Sequence, residues 1–170
     1  MKDRAARSAL PAGAASRELV QKALALDVIP IGYRIGYLAQ LFTGPLYRAL
    51  DETQGIGRQE WVVLFCTTHF DQLTAQDIAE MSGRAKANVS RAVNKLLRMA
   101  LVQRRPDPAD ARRALIDITP KGRALFDVTL APFVNRETQM LSVLEADEIR
   151  ELDRILRKLT TRDDGWDAPY

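Results

Sequence analysis

Residues 73–118 constrain the fold more tightly than any other stretch, because several local signals follow one another there without a gap. Thr74-Ala-Gln-Asp77 is a capping box. The threonine oxygen can accept a helix-start N–H, and the aspartate can reach back to the cap. A short helix is predicted through Met81, burying Ile78, Ala79 and Met81. Ser82-Gly83-Arg84 reads as a tight turn. A second helix starts at Ala85 or Lys86 and runs to Met99. On it Val89, Val93, Leu96, Leu97 and Ala100 lie within about 100° of one another. Ala87, Asn88, Arg91, Asn94, Lys95 and Arg98 point away from that stripe. Ser90 sits on its flank and Lys86 nearer its edge. The period then switches from helical to alternating. Leu101–Arg104 and Ala114–Ile118 read as two short strands. The Pro- and Asp-containing run Arg105–Arg112 between them reads as a loop.

A capped helix, a glycine turn, a longer helix with a polar outer face and a two-stranded wing make a winged helix-turn-helix. A helix has the right width for the DNA major groove, and small or amide side chains near its start allow close approach to base edges. Lys86, Ala87, Asn88, Ser90 and Arg91 are the candidate major-groove residues. Arg91 suits guanine and Asn88 adenine. Arg112 is the candidate minor-groove residue at the wing. Asp110 is expected to hydrogen-bond its guanidinium and hold it extended. Thr74, Arg84, Asn94, Lys95, Arg98 and Arg113 are candidates for phosphate.

Charge supports this placement. The chain carries a net +3, but residues 84–113 hold nine cations against two acids, a net +7. The remaining 140 residues hold sixteen cations against twenty acids, a net −4. A basic block in a mildly acidic body is the footprint of a polyanion-binding surface. A solvated charged surface is the plainer alternative.

The flanks read as helices. One begins near Ser16 or Arg17. A second opens at Pro30, where a missing N–H costs nothing, and Gly44-Pro45 is expected to bend or break it. Asp51–Gly57 is predicted as a turn and Arg58–Thr68 as a buried helix. Thr119-Pro120 caps a long helix to Leu144, with a kink expected at Pro132. Residues 145–159 form a last helix with Ile149, Leu152, Ile155, Leu156 and Leu159 on one stripe. So much apolar helix outside the DNA module must be buried, and a second copy of the chain is the economical partner. The expected organisation is a disordered 1–16, dimerisation helices over 17–57, the winged helix over 58–118, further dimerisation helices over 119–159, and a tail from 160 to 170. The fold class is mainly α with a small β wing.

The quoted residues resemble the MarR family of winged-helix transcription regulators. The resemblance rests on Leu73-Thr-Ala-Gln-Asp-Ile-Ala79, Asn88-Val-Ser-Arg91, the Asp110-x-Arg112 wing signature and the Thr119-Pro-Lys-Gly122 helix start. It covers roughly residues 30–159. It implies an obligate two-fold dimer with interleaved N- and C-terminal helices, recognition helices in successive major grooves, and Arg112 in the minor groove. It also implies release from a pseudo-palindromic operator by a small, often aromatic, effector, so that the output would be repression. One departure stands out: Ala100 occupies a position where the family usually has glycine.

Tyr33, Arg34, Tyr37, Trp61, Phe65 and His69 are the candidate effector pocket, an aromatic wall with one cation. Plain core packing is the alternative for each. Cys66 would permit a redox-responsive regulator, but it lies in an apolar run and reads better as a buried structural thiol. A winged helix serving protein or RNA contacts is the other alternative. No enzyme is expected. Cys66 and His69 lack an orienting third group, and no phosphate-binding glycine loop exists. No cofactor and no metal site are expected, since the His and Cys supply stops at two. No apolar run approaches the ~20 residues of a membrane span. With no secretory signal visible at the N-terminus, the cytoplasm is the expected compartment.

Overall fold

The computed structural model describes residues 12–110 and 112–161, with side chains from Ser16 onward. The elements in chain order are α1 (Ala12–Leu24), α2 (Pro30–Gln54), α3 (Arg58–His69), α4 (Ala75–Ser82), α5 (Lys86–Arg98), β1 (Val102–Pro106), β2 (Ala114–Ile118), α6 (Pro120–Leu141) and α7 (Ala146–Thr160). The fold is mainly α with a small β wing. The expected disorder of residues 1–11 and the tail from residue 162 fall outside the described residues. Helix α1 already starts at Ala12, ahead of the expected Ser16 or Arg17.

The chain divides into two compact units at Gly44–Pro45. The first unit holds α1 and the start of α2. Here the Arg34 guanidinium donates to the Leu24 carbonyl at 3.2 Å and so caps α1, while Tyr33 and Tyr37 stack with centroids 6.5 Å apart. Leu19, Ile31, Ile35, Leu38 and Leu41 are all exposed. Of the bend or break expected at Gly44-Pro45, the break does not occur. Pro45 lies inside one continuous helix.

The second unit contains the core. Ile56, Leu64, Ile78, Val93 and Leu96 are fully buried. Trp61 of α3 stacks on Phe133 of α6 at 4.1 Å. Its indole N–H donates to the buried Thr129 hydroxyl at 3.2 Å, so the polar edge of the ring is satisfied in the interior. The predicted turn over Asp51–Gly57 is shorter than expected. Helix α2 persists to Gln54, and Gly55 then takes the left-handed conformation that ends it, at φ +64°.

Strands β1 and β2 pair antiparallel from Val102↔Ile118 to Pro106↔Ala114. Strand β1 therefore runs two residues beyond the expected Arg104. The Ile116 N–H donates to the Leu73 carbonyl at 2.7 Å, which ties the wing to the segment before α4.

The joint between α5 and α6 explains two small residues. Ala100 has φ +56°, the left-handed geometry for which the family pattern uses glycine. The Leu101 N–H reaches the Leu96 carbonyl and the Ala100 N–H the Leu97 carbonyl, a Schellman ending. The Thr119 hydroxyl and the Lys121 ammonium then donate to the Ala100 and Met99 carbonyls, at 2.8 and 2.9 Å. Gly122 packs against this joint: a Cβ there would lie 2.0 Å from the Leu101 carbonyl oxygen. Helix α6 runs through Pro132 and ends at Leu141, three residues before the expected Leu144.

Candidate nucleic-acid interface

Helix α4 starts with the capping box read from the sequence. The Thr74 hydroxyl accepts from the Asp77 N–H at 3.2 Å, and Asp77 Oδ2 accepts from the Thr74 N–H at 2.7 Å. These bonds to Thr74, the backbone one foremost, hold the Asp77 carboxyl below its ordinary value, with Arg113 nearby adding to the effect. The Thr74 hydroxyl also donates to Asp77. Gly83 makes the turn in the left-handed region at φ +62°. Helix α5 then buries Val89, Ala92, Val93 and Leu96. That leaves Lys86, Ala87, Arg91, Asn94 and Arg98 exposed, with Asn88, Ser90 and Lys95 half-buried. Met81, expected inside, is 46% exposed.

A cleft of about 520 Å³ lies between the start of α3 and the outer face of α5, lined by Gln59, Glu60, Asn88, Arg91, Lys95 and Arg98 among others. The cations around it differ in what already holds them. Lys95 Nζ lies 3.7 Å from Glu60. Arg84 turns inward and donates to Gln59 Oε1 at 3.0 Å. Arg91 donates to Asn88 Oδ1 one turn earlier. Lys86 and Arg98 have no ion pair among the described residues.

The wing sorts its cations in the same way. Arg105 Nε bonds Asp117 on the neighbouring strand at 2.5 Å. Arg113 lies 3.7 Å from Asp107 and 3.8 Å from Asp77. Asp110 contacts Arg112 differently from the expectation. Its Oδ1 accepts from the Arg112 backbone N–H at 3.0 Å, an Asx-type turn that shapes the loop. Being two residues apart favours the main-chain bond, and the exposed Arg112 side chain makes no ion pair among the described residues.

The candidate effector residues fall on both sides of the Gly44–Pro45 division. Within the second unit, Trp61 is buried in an aromatic stack with Phe126 and Phe133. Phe65 and His69 are exposed, with ring centroids 4.7 Å apart. A separate apolar cleft of about 330 Å³ lies between the end of α2 and α6, with Leu46, Leu50, Val128, Pro132 and Phe133 in its wall. Cys66 is 4% exposed. Burial pushes its thiol up, partly opposed by Arg84. Among the described residues no three His, Cys, Asp or Glu side chains gather as metal ligands, and no helix is long and apolar enough to cross a membrane.

The MarR family model matches residues 54–113, from the end of α2 into the wing. A MarR/EmrR family transcriptional regulator from Acinetobacter sp. ADP1 has the same fold with a TM-score of 0.68. It is 28% identical, over 76% of this chain and 92% of that one. Over residues 54–113 this chain is similar to the MarR family, and its fold is the one those regulators have. The HTH-type transcriptional regulator YwaE of Bacillus subtilis (strain 168) is 22% identical over 143 residues, 84% of each protein. CouR from Rhodococcus jostii RHA1, solved with p-coumaroyl-CoA bound, shares the fold with a TM-score of 0.70 at 21% identity, over 81% of this chain and 96% of that one. The protein is accordingly a DNA-binding transcriptional regulator of the MarR type.

Against this MarR frame, the residues that sequence reasoning missed are the partners. Gln59 and Glu60 of α3 engage Arg84 and Lys95, and Asp77 and Asp117 engage Arg113 and Arg105. No local pattern points from one partner to the other, because each contact joins two separate elements.

Proposed function

We propose that the chain is a homodimeric, sequence-specific repressor that binds a pseudo-palindromic duplex and leaves it when a small aromatic effector binds. The observation that carries this reading is the set Lys86, Arg98 and Arg112. These side chains are exposed on α5 and at the wing, with no acid pairing them among the described residues. In the proposed complex, Lys86, Ala87, Asn88, Ser90 and Arg91 face base edges in the major groove, and Arg112 enters the minor groove from the loop shaped by Asp110. Arg98 meets phosphate. Lys95, Arg84 and Arg113 contribute positive field while remaining tied to their own partners, and Asn94 and Thr74 lie beside the backbone path.

Support for the dimer comes from α7, whose stripe Ile149, Leu152, Ile155, Leu156 and Leu159 has no buried member. Two-fold symmetry would place half-sites about one helical turn, roughly 34–36 Å, apart. Support for an aromatic effector comes from the exposed Phe65 and His69 and from the apolar cleft beside Phe133. CouR, with the same fold, takes an aromatic acyl-CoA. The redox alternative is disfavoured, because a buried thiol held protonated is a poor nucleophile.

The test is fluorescence anisotropy on a duplex from upstream of the protein's own gene, beside a scrambled duplex, across a salt series. The proposal expects tight, salt-sensitive binding to the first and weak binding to the second. Arg112→Ala should weaken specific binding and lower the salt slope by about one unit. An unchanged affinity and slope would remove Arg112 from the interface. Equal weak binding to both duplexes would favour a protein- or RNA-binding wing.

A further inference from the structure

Arg104 is one of the nine cations of residues 84–113. It stands on β1 between Gln103 and Arg105, and the two neighbouring arginines have opposite fates. Alternation along a strand sends them to opposite faces of the wing. Arg105 shares its face with Asp117 and is paired with it. Arg104 shares its face with Val102 and Ile116, both buried against the helices. Beyond those two it reaches α5, where its Nη2 donates to Asn94 Oδ1 at 2.9 Å. Asn94 also lines the cleft that holds Arg91 and Arg98. The Arg104 guanidinium is therefore brought to the edge of the recognition face from a different element. No carboxylate pairs with it among the described residues.

The nature of its partner matters. A carboxylate fixes a guanidinium and cancels its charge. An amide fixes it and leaves the charge in place. Arg104 is thus held in position, exposed and uncompensated. A guanidinium in that state has four further N–H groups for a phosphate.

We propose that Arg104 is a DNA phosphate contact, positioned from the recognition helix by Asn94. Asn94 then acts as the positioning residue rather than as a ligand of the backbone itself. This rests on the DNA-binding reading above.

The experiment uses the full chain and a fluorescein-labelled duplex of scrambled sequence, since a phosphate contact does not depend on base order. Binding is followed by anisotropy across a salt series for the wild type, Arg104→Gln, Arg104→Lys and Arg105→Gln, with thermal melts of each. Gln can still bond Asn94 but carries no charge. The expected result is a salt slope about one unit smaller for Arg104→Gln, restored by Arg104→Lys and unchanged in Arg105→Gln. A wild-type slope in Arg104→Gln, with an unchanged melt, overturns the assignment of Arg104 alone. A wild type that shows no salt-dependent binding to any duplex overturns the DNA reading as well. If Arg104→Gln melts early, its slope is read at a temperature where it is still fully folded: a slope about one unit smaller supports the contact, and a wild-type slope overturns it.

Discussion

Helices α5 and α7 are both amphipathic and rich in charge, yet each leaves a different half of itself unused. Helix α5 buries most of its apolar side: Val89, Ala92, Val93 and Leu96 are at most 2% exposed. On its outer face Lys86 and Arg98 have no carboxylate partner among the described residues. Helix α7 does the reverse. Its charges pair along its own surface, Arg150 with Asp147, Arg154 with Glu151 and Arg157 with Asp153. Its apolar stripe has no buried member: Ile155, Leu156 and Leu159 are 38–43% exposed. The difference teaches what kind of partner each helix can take. An apolar face with satisfied charges suits another apolar face. A buried apolar face with unmatched cations suits a polyanion.

The same substitution on the two helices breaks or sharpens this comparison. Leu96→Ala should lower the unfolding free energy by roughly 2–5 kcal/mol at every protein concentration, because it empties a site in the core. Leu156→Ala should leave the dilute chain within about 0.5 kcal/mol of wild type and weaken self-association about tenfold, or ~1.4 kcal/mol. Urea melts and sedimentation equilibrium measure the two effects. A core-sized loss for Leu156→Ala in dilute solution would mean that α7 packs within its own chain.

The seat on which α5 ends gives the next largest effect. Gly122→Ala should cost about 3 kcal/mol or more, since the new methyl would collide with the Leu101 carbonyl and backbone cannot yield cheaply. A melt within error of wild type would show that the joint is loose.

Two smaller effects test the ends of the helix-turn-helix. Ala100→Gly should stabilise by about 1 kcal/mol, by relieving a left-handed alanine. An unchanged or lower melting temperature would remove the strain argument. Thr74→Ala should cost about 1 kcal/mol at neutral pH through loss of the cap. The pH dependence has a definite sign. Asp77 sits below its unfolded value in the folded chain. Its contribution is therefore present above the ordinary carboxylate value of about 3.9 and is lost as the pH falls through the depressed folded value. The gap between wild type and Thr74→Ala should narrow over that acid range. A gap that stays constant would mean the cap does not act through the carboxylate.

Much of this was legible in the sequence because it is local. The capping box at Thr74, the glycine at position 83 and the switch of period after Met99 each act across a few residues. So do the apolar stripes of α5 and α7, which backbone geometry sets. The elements therefore stand where the pattern puts them, within a few residues at their ends. Gly44-Pro45 does not end α2, since the hydrogen bonds of the turns on either side outlast the one that proline removes. Asp110 was misread because a side chain two residues away can reach a backbone N–H more readily than a guanidinium.

The sequence by itself determined the order of the elements, the basic character of the segment from Arg84 to Arg113, and which side of each helix is apolar. Only the tertiary structure decided which cations remain unmatched. Arg104 and Arg105 are neighbours of the same type, yet one meets an amide on α5 and the other a carboxylate on β2. It also decided that α5 would bury most of its apolar stripe while that of α7 has no buried member. Period and composition describe one element at a time, whereas burial and charge pairing depend on which elements are brought together and on which residues stand opposite one another when they meet.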